Sequence, residues 1–426
     1  MIRRAAYKAL RRAAPADPRE VMRCAGGEVE PRRVGLSDAA VQSIWRSVER
    51  LYATGLHPAM VFCMRVGGEV VVHRSLGHAS GNGPQDALFS EPVVCEPDTP
   101  FNLFSSSKVV TGVLMHHAAA AGHLDLDDRV MDFIPEFGVR GKEAVTLRDI
   151  LSHRAGFSRG PEHLTSVEVL SDWDAIIGHL CALEAEAPAG TEVAYHSLTG
   201  GFILAEVLHR ATGRNIQTYL AEEIREPLGF KYMAYGASEE VIGALARSVW
   251  TGPSPRYPVS KWLREALGAD VHAVDAFLQD DRVFRHVIPS GNVVATADEL
   301  CRFFEMLLRG GTLDGVQVMG SETVHEIVRP MPNLGWDKRL KLPMRYSAGC
   351  MLGAESVSVF GGQTSKAFGH VGYTQVIGWA DPERDLSAAF LNSGKPIFTP
   401  EFLLWLNVMR TISAEVPRRE AALWPG

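Results

Sequence analysis

Phe104-Ser105-Ser106-Ser107-Lys108 opens the apolar stretch Val109-Val110-Thr111-Gly112-Val113-Leu114-Met115, and the reading of the chain turns on this junction. The spacing predicts a long helix from about Ser105 to Gly122. Ser105 and Lys108 stand three apart, so both project from one face of its first turn. The apolar residues beyond them place the helix in the interior. A lysine amine there loses hydration, which lowers its pKa, and the helix N-terminal dipole acts in the same direction. A lysine neutral near pH 7 can take the proton of a serine hydroxyl one turn away. The alternative is an N-capping serine beside a solvated lysine. The pattern occurs once, at the head of an apolar helix, which favours the reactive pair.

Outward from this junction, a helix is expected from Ser37, its N-cap, with Val41, Ile44, Trp45, Val48, Leu51 and Tyr52 at helical spacing. Ala59–Val66 and Glu69–His73 flank Gly67-Gly68 and read as an antiparallel hairpin. Helices follow at Leu147–His153, Asp172–Leu183, Leu198–Thr212 and Ile216–Arg225. Strand character returns at Tyr346–Leu352, Ser356–Phe360, Tyr373–Ala380 and Leu386–Asn392. Thr399 as N-cap and Pro400 at N1 announce a last helix over Phe402–Met409. Strands at both ends with helices between them predict an α/β protein of the α+β type. Its antiparallel sheet is flanked by terminal helices, and a mostly helical second domain is inserted. The expected division is a charged arm at 1–34, a discontinuous α/β domain at 35–110 and 288–426, and the helical domain at 111–287.

The 426 residues carry 43 Lys and Arg against 50 Asp and Glu, a net charge of −7. That balance argues against a nucleic-acid or anionic-membrane binder, which needs a basic face. Six cysteines lie far apart with no CxxC or paired Cys/His spacing, so neither structural zinc nor a disulfide scaffold is expected. No stretch approaches a membrane span, and the basic start of the chain is not followed by an apolar run. A cytoplasmic protein without metal or cofactor is expected.

Two further segments matter. Tyr195-His196-Ser197 begins the helix at Leu198, and Gly369-His370-Val371-Gly372 leads into the strand expected at Tyr373. In order, Ser105-x-x-Lys108, Tyr195-x-Ser197 and His370-x-Gly372 resemble the three motifs of class C β-lactamase-like serine hydrolases, closest to family VIII carboxylesterases. Gly122–Asp128, Val145–His153, Gly291–Asp298 and Trp379–Glu383 read as framework of the same family, so the likeness spans roughly 36 to 410. It implies that fold, with Ser105 as the acylated nucleophile, Lys108 as its base and Tyr195 as proton shuttle to the leaving group. It also implies an oxyanion hole from the backbone N–H groups of Ser105 and Tyr373, and substrate contacts at Ser197, His370 and Gly372. An unperturbed tyrosine would need a cation such as Lys108 beside it to act as phenolate.

Two departures bear on substrate. Ser197 stands where β-lactamases of this class carry asparagine, and His370 where they carry lysine. An imidazole mostly neutral at pH 7 gives a substrate carboxylate much less than a fixed charge. Both changes favour a serine carboxylesterase acting on small neutral esters. The alternatives are a β-lactamase, a D-amino-acid peptidase or amidase, an acyltransferase on the same site, or a non-catalytic binding scaffold.

Other signals are discounted. Gly156-Phe157-Ser158-Arg159-Gly160 matches a nucleophile elbow, but a helix precedes it where a strand is required, and Pro161 follows. Adjacent His116 and His117 diverge, and Asp125, Asp127 and Asp128 lack the pattern of a calcium loop. His153 reads as a buried hydrogen-bonding residue. Trp173, Trp250 and Trp262 fit an acyl pocket or core packing equally.

Overall fold

The computed structural model describes residues 2–160, 166–331, 335–356, 358–397 and 399–419. Strand β1 (Arg23–Cys24) precedes helix α1 (Asp38–Tyr52), whose N-terminus is capped by Ser37 Oγ, 3.1 Å from the Ala40 N–H. The hairpin β2 (Ala59–Val66) and β3 (Glu69–Ser80) turns at Gly67-Gly68, with φ of 61° and 84°. Only glycine takes two such values in succession at little cost, and the turn matches the twist of its strands.

Helices α2 (Ser107–Ala120), α3 (Thr199–Thr212), α4 (Val259–Leu267) and α5 (Val271–Gln279) follow, with Trp173–Ala182 helical between α2 and α3. Helix α6 (Ala297–Leu308), strands β4 (Met351–Leu352), β5 (Phe368–Val371), β6 (Ile377–Asp381) and β7 (Leu386–Asn392), and helix α7 (Phe402–Glu415) complete the framework. The sheet runs β1-β3-β2-β7-β6-β5-β4, antiparallel throughout, with Val93–Val94 added beside the end of β3.

Both faces of this sheet are covered. Met60, Phe62 and Met64 of β2 pack with α1 and α7, while Val61 and Cys63 join the cluster that includes Leu300 and Phe304 of α6. Alternate side chains thus enter two different cores, which is why β2 reads as a continuous apolar run. Helix α2 is enclosed on nearly every side, and a Cβ added at Gly112 would lie 2.9 Å from Gly349 Cα, so this contact needs glycine.

A small sheet joins Phe101–Asn102, Val293–Ala295 and Ala234–Tyr235. It fixes the residues before Ser105 beside those after Ser290. Among the described residues no helix is long and apolar enough to cross a membrane.

Several elements differ from expectation. The N-terminal segment is folded onto the body: Ile2–Ala9 is helical, Arg4 donates to the Leu88 and Ser90 carbonyls at 3.0 Å, and Cys24 pairs with Arg74. Arg4 finds carbonyl partners there, so the charged arm lies on the surface of the body. Ile216–Leu220 is α-helical, but Ala221–Arg225 widens to a π turn.

Ser356–Phe360 is not a strand; Ser358 makes only an isolated bridge to Gly361, and residue 357 lies outside the described residues. Tyr373–Ala380 is a turn followed by β6, because Thr374 and Gln375 adopt φ of 57° and 75° and reverse the chain after β5. The last helix starts at Phe402 with Glu401 at its N-cap, and the Thr399 hydroxyl donates to the Glu401 carboxylate at 2.5 Å.

Candidate active site

Ser105 sits in a 3₁₀ turn, Phe104–Ser106, just ahead of α2. Phe104 has φ of 48°, a conformation that an aromatic side chain rarely adopts. Asn102 Oδ1 accepts its N–H at 3.1 Å and holds it there. Each serine of the run has a separate task. Ser105 faces a cleft. Ser106 Oγ donates to the His370 carbonyl at 2.7 Å, and Ser107 Oγ accepts the Val293 N–H at 3.0 Å. The nucleophile candidate is therefore pinned on both flanks, a strained arrangement of the kind found at functional sites.

Lys108 Nζ lies 3.3 Å from Ser105 Oγ, 2.8 Å from the Ser197 carbonyl and 3.2 Å from the Ser290 carbonyl. Burial of the amine pushes its pKa down to about 7. A neutral amine has two N–H donors and one lone pair. The two carbonyls can take the donors, which turns the lone pair toward the Ser105 hydroxyl. Tyr195 is 7% exposed, hydrogen-bonded to Ser105, and its ring centre lies 4.8 Å from Lys108 Nζ. Its own pKa is pushed up, mainly by burial. Burial thus favours the phenol of Tyr195 over its phenolate, with Lys108 as the nearby cation.

Behind this trio lies a small chamber that Lys108, His153, His196, His370 and Tyr346 help to line. His153 Nδ1 accepts the His196 N–H at 3.2 Å, and the His153 ring lies 4.7 Å from Tyr195 and 4.8 Å from Tyr346. Burial drives all three imidazoles down, His196 to about 4 and His370 to about 3, with the Lys108 charge as a further cause. The imidazoles of the chamber are neutral at neutral pH, and Lys108 is poised between amine and ammonium there.

His370 belongs to this rear chamber. It is 1% exposed, its Nδ1 lies 2.8 Å from the Val371 carbonyl, and its ring is 6.1 Å from that of Tyr195. Strand alternation along β5 turns Val371 to the cleft, while the His370 ring lies beside that of Tyr195. Ser197 does line the cleft, but its hydroxyl donates to the Ala266 carbonyl at 2.7 Å. Gly372 also lines it, and a Cβ there would lie 2.4 Å from the Leu103 carbonyl. Glycine lets the turn after β5 close against the residues before Ser105. Tyr373 stands edge-on to Phe104 at 5.9 Å, on the same wall as Ser105.

Sequence reasoning missed two buried groups near the site. Asp337 is fully buried and accepts the N–H groups of Tyr195 (3.2 Å), Arg339 (2.9 Å) and Leu340 (3.0 Å), and the Tyr346 hydroxyl (3.0 Å). It ties Tyr195 to the hairpin of Gly335–Asp337 and Leu342–Met344. Lys395 lies over the Phe104 ring, 5.5 Å from its centre and 3.7 Å from Asp275, with its pKa lowered by burial to about 8. No short motif marks either residue, because their partners are distant in sequence.

The discounted motifs sit elsewhere. Ser158 is buried and its N–H and hydroxyl both face Glu186, at 2.9 and 3.3 Å; Pro161 lies outside the described residues. Trp173 Nε1 donates to Glu206 at 2.7 Å, while Trp250 and Trp262 pack with Leu263 and Ile397; none of the three lines the cleft. Among the described residues, Cys63 of β2, His73 of β3 and Asp298 of α6 bring possible metal-ligand atoms within 4.8 Å of one another, outside the cleft. Arg65 Nη2 already occupies Asp298 at 3.2 Å.

Comparison with known proteins identifies the family. The family model described as Beta-lactamase matches residues 46–407. The esterase/beta-lactamase LipL of Mycobacterium tuberculosis is 27% identical over 304 residues, covering 68% of each chain. A penicillin-binding protein homolog from Caulobacter crescentus superposes with a TM-score of 0.74 at 28% identity, over 89% of this chain and 99% of that one. A family VIII carboxylesterase shares the fold with a TM-score of 0.70 at 22% identity, over the same 89% and 99%. With its family match running through the serine, the lysine and the tyrosine alike, the chain belongs to the beta-lactamase family and is a serine hydrolase of that fold.

Proposed function

We propose that the protein is a carboxylesterase that cleaves small, uncharged carboxylic esters through an acyl-enzyme on Ser105. The observation that carries this reading is the cleft itself. Among the described residues its lining contains Ser105, Tyr195, Ser197, Ser290 and Tyr373 as hydroxyl-bearing residues and no lysine, arginine, histidine, aspartate or glutamate. A substrate carboxylate would lose its hydration there and find no cation in return, at a cost of several kcal/mol (~2–5).

In acylation, neutral Lys108 takes the Ser105 proton as Oγ bonds the ester carbon. The oxyanion is held by the backbone N–H groups of Ser105 and Tyr373. Tyr195 gives its hydroxyl proton to the departing alcohol oxygen as the C–O bond breaks, and recovers one from the Lys108 ammonium. Water then attacks the acyl carbon by the same route, and the acid leaves. His370 and His153 back the Tyr195 ring without adding charge, and Gly372 shapes the turn that presents Tyr373.

A cytoplasmic setting completes the proposal: all six cysteines are free thiols, five of them buried. The test pairs 4-nitrophenyl butyrate with nitrocefin, and follows intact mass after an alkyl phosphonate. Ester turnover far above nitrocefin turnover, with one phosphonate adduct lost in Ser105→Ala, supports the reading. Preferential nitrocefin hydrolysis overturns it in favour of a β-lactamase, and the absence of both turnover and adduct in favour of a scaffold.

A further inference from the structure

The cleft in front of Ser105 has a volume of about 310 Å³, within the range of small-molecule sites. Its walls come from two separate parts of the chain. Helices α4 and α5 contribute Leu267, Val274, Phe277 and Leu278; the hairpin opposite contributes Leu340, Leu342 and Met344. Each is aliphatic or aromatic. The apolar surface also continues outward on that hairpin, where Leu342 is 52% and Trp336 is 60% exposed. Such side chains cost nothing to cover, and a site that needed only an acetyl group would leave most of this wall idle.

We infer that the cleft is built for an unbranched aliphatic chain of about eight carbons carried by an uncharged ester. This deepens the esterase reading above and rests on it. The length follows from volume. A cleft of 310 Å³ lies at the small end of ligand sites and holds an ester with a medium-length chain, of the order of an octanoyl group. Lipophilic esters of this kind meet the exposed Trp336 and Leu342 first and slide along Leu340 and Met344 toward Ser105. Phe277 and Leu278 close around the chain. A chain whose terminal carboxylate lies within the cleft is disfavoured, because no described residue lining the cleft is a cation.

The full-length protein tests this in two substrate series, each kept below micellar concentration. One is 4-nitrophenyl esters from acetate to myristate; the other is alkyl acetates from ethyl to octyl, followed by acid release. In at least one series kcat/KM rises with chain length. Complete burial gives about fourfold per methylene, the equivalent of ~0.8 kcal/mol. The rise ends near eight carbons and reverses by fourteen.

The mono-4-nitrophenyl ester of octanedioic acid, which ends in a carboxylate, is turned over at least tenfold more slowly than the octanoate. In Leu278→Trp the ratio of octanoate to acetate kcat/KM falls by about tenfold, because the ring fills the space the chain would take.

Fastest turnover of the shortest ester in both series overturns the inference while leaving the esterase reading intact. No turnover of any ester overturns the esterase reading itself. Because the substrate series is measured on the unmodified chain, a misfolded variant does not remove the test.

Discussion

The two spaces on either side of Ser105 are opposites. The cleft in front is wide, apolar and without charged side chains, whereas the chamber behind is narrow and lined by Lys108, His153, His196, His370 and Tyr346. Both disfavour charge, by different means. Among the described residues the front is lined by no ionisable groups apart from its tyrosines, while burial in the rear holds the imidazoles neutral, His370 with a pKa near 3, and lowers Lys108 to about 7, where amine and ammonium coexist. In the proposed mechanism the rear sets the protonation state of the reacting groups, and the front selects what reaches them. In a low-dielectric site one unpaired charge would dominate both spaces.

The largest expected effect separates the serine of this boundary from the decoy. Ser105→Ala abolishes ester turnover and phosphonate labelling with an unchanged circular-dichroism spectrum, while Ser158→Ala keeps most activity. Reversed results would move the chemistry to Glu186 and Ser158 and dissolve the contrast between front and rear.

Lys108→Arg comes next. A guanidinium stays protonated throughout the working range, so kcat/KM should fall by about 10²–10⁴-fold. In the unmodified protein kcat/KM falls as pH drops through about 7, because the ammonium has no lone pair to offer. The same depressed pKa has a stability consequence. Between about 7 and the free value of 10.5 the unfolded chain binds the extra proton, so stability rises with pH across this window. Urea melts at pH 7 and pH 9.5 should show that rise, and Lys108→Met should flatten it while leaving the rise contributed by Lys395. A Lys108→Met protein with the full unmodified slope would show that the amine is already protonated when folded.

His370→Lys sharpens the comparison. If His370 belonged to the cleft, a lysine there would favour nitrocefin by the ~1.5–3 kcal/mol of a charged hydrogen bond, roughly ten- to a hundredfold. Because it lies behind Tyr195, the nitrocefin-to-ester ratio should change less than about threefold. The acid limb of kcat/KM should instead move down in pH, since a second cation in the chamber further disfavours the Lys108 ammonium. A hundredfold gain toward nitrocefin would put position 370 back in contact with substrate.

Tyr373→Phe is the smallest expected change. The proposed donor is the main-chain N–H, and the Tyr373 hydroxyl is buried without a hydrogen-bond partner. Steady-state kcat/KM should stay within about twofold. A loss of tenfold or more would mean that the hydroxyl touches substrate.

The order Ser105, Lys108, Tyr195, His370 is legible in sequence because each residue lies within a few positions of a helix start or a strand, where local spacing fixes geometry. The helix at Ser37 and the hairpin at Gly67-Gly68 were legible for the same reason. The turn after β5 was not: Thr374 and Gln375 take left-handed backbone without being glycine or asparagine, a conformation imposed by the surrounding packing.

By itself, then, the sequence determined the chemistry on offer: a serine and a lysine three apart at the head of an apolar helix, a tyrosine to join them, and no charged cleft motif. Only the tertiary structure decided which way those groups face. It turned His370 to the rear, tied the Ser197 hydroxyl to the Ala266 carbonyl, set Asp337 beneath Tyr195 and gathered Leu267, Leu278 and Leu342 around one cleft. Those contacts join residues tens to hundreds of positions apart, and burial, which shifts the lysine and the imidazoles alike, belongs to the packed molecule and to no local stretch of it.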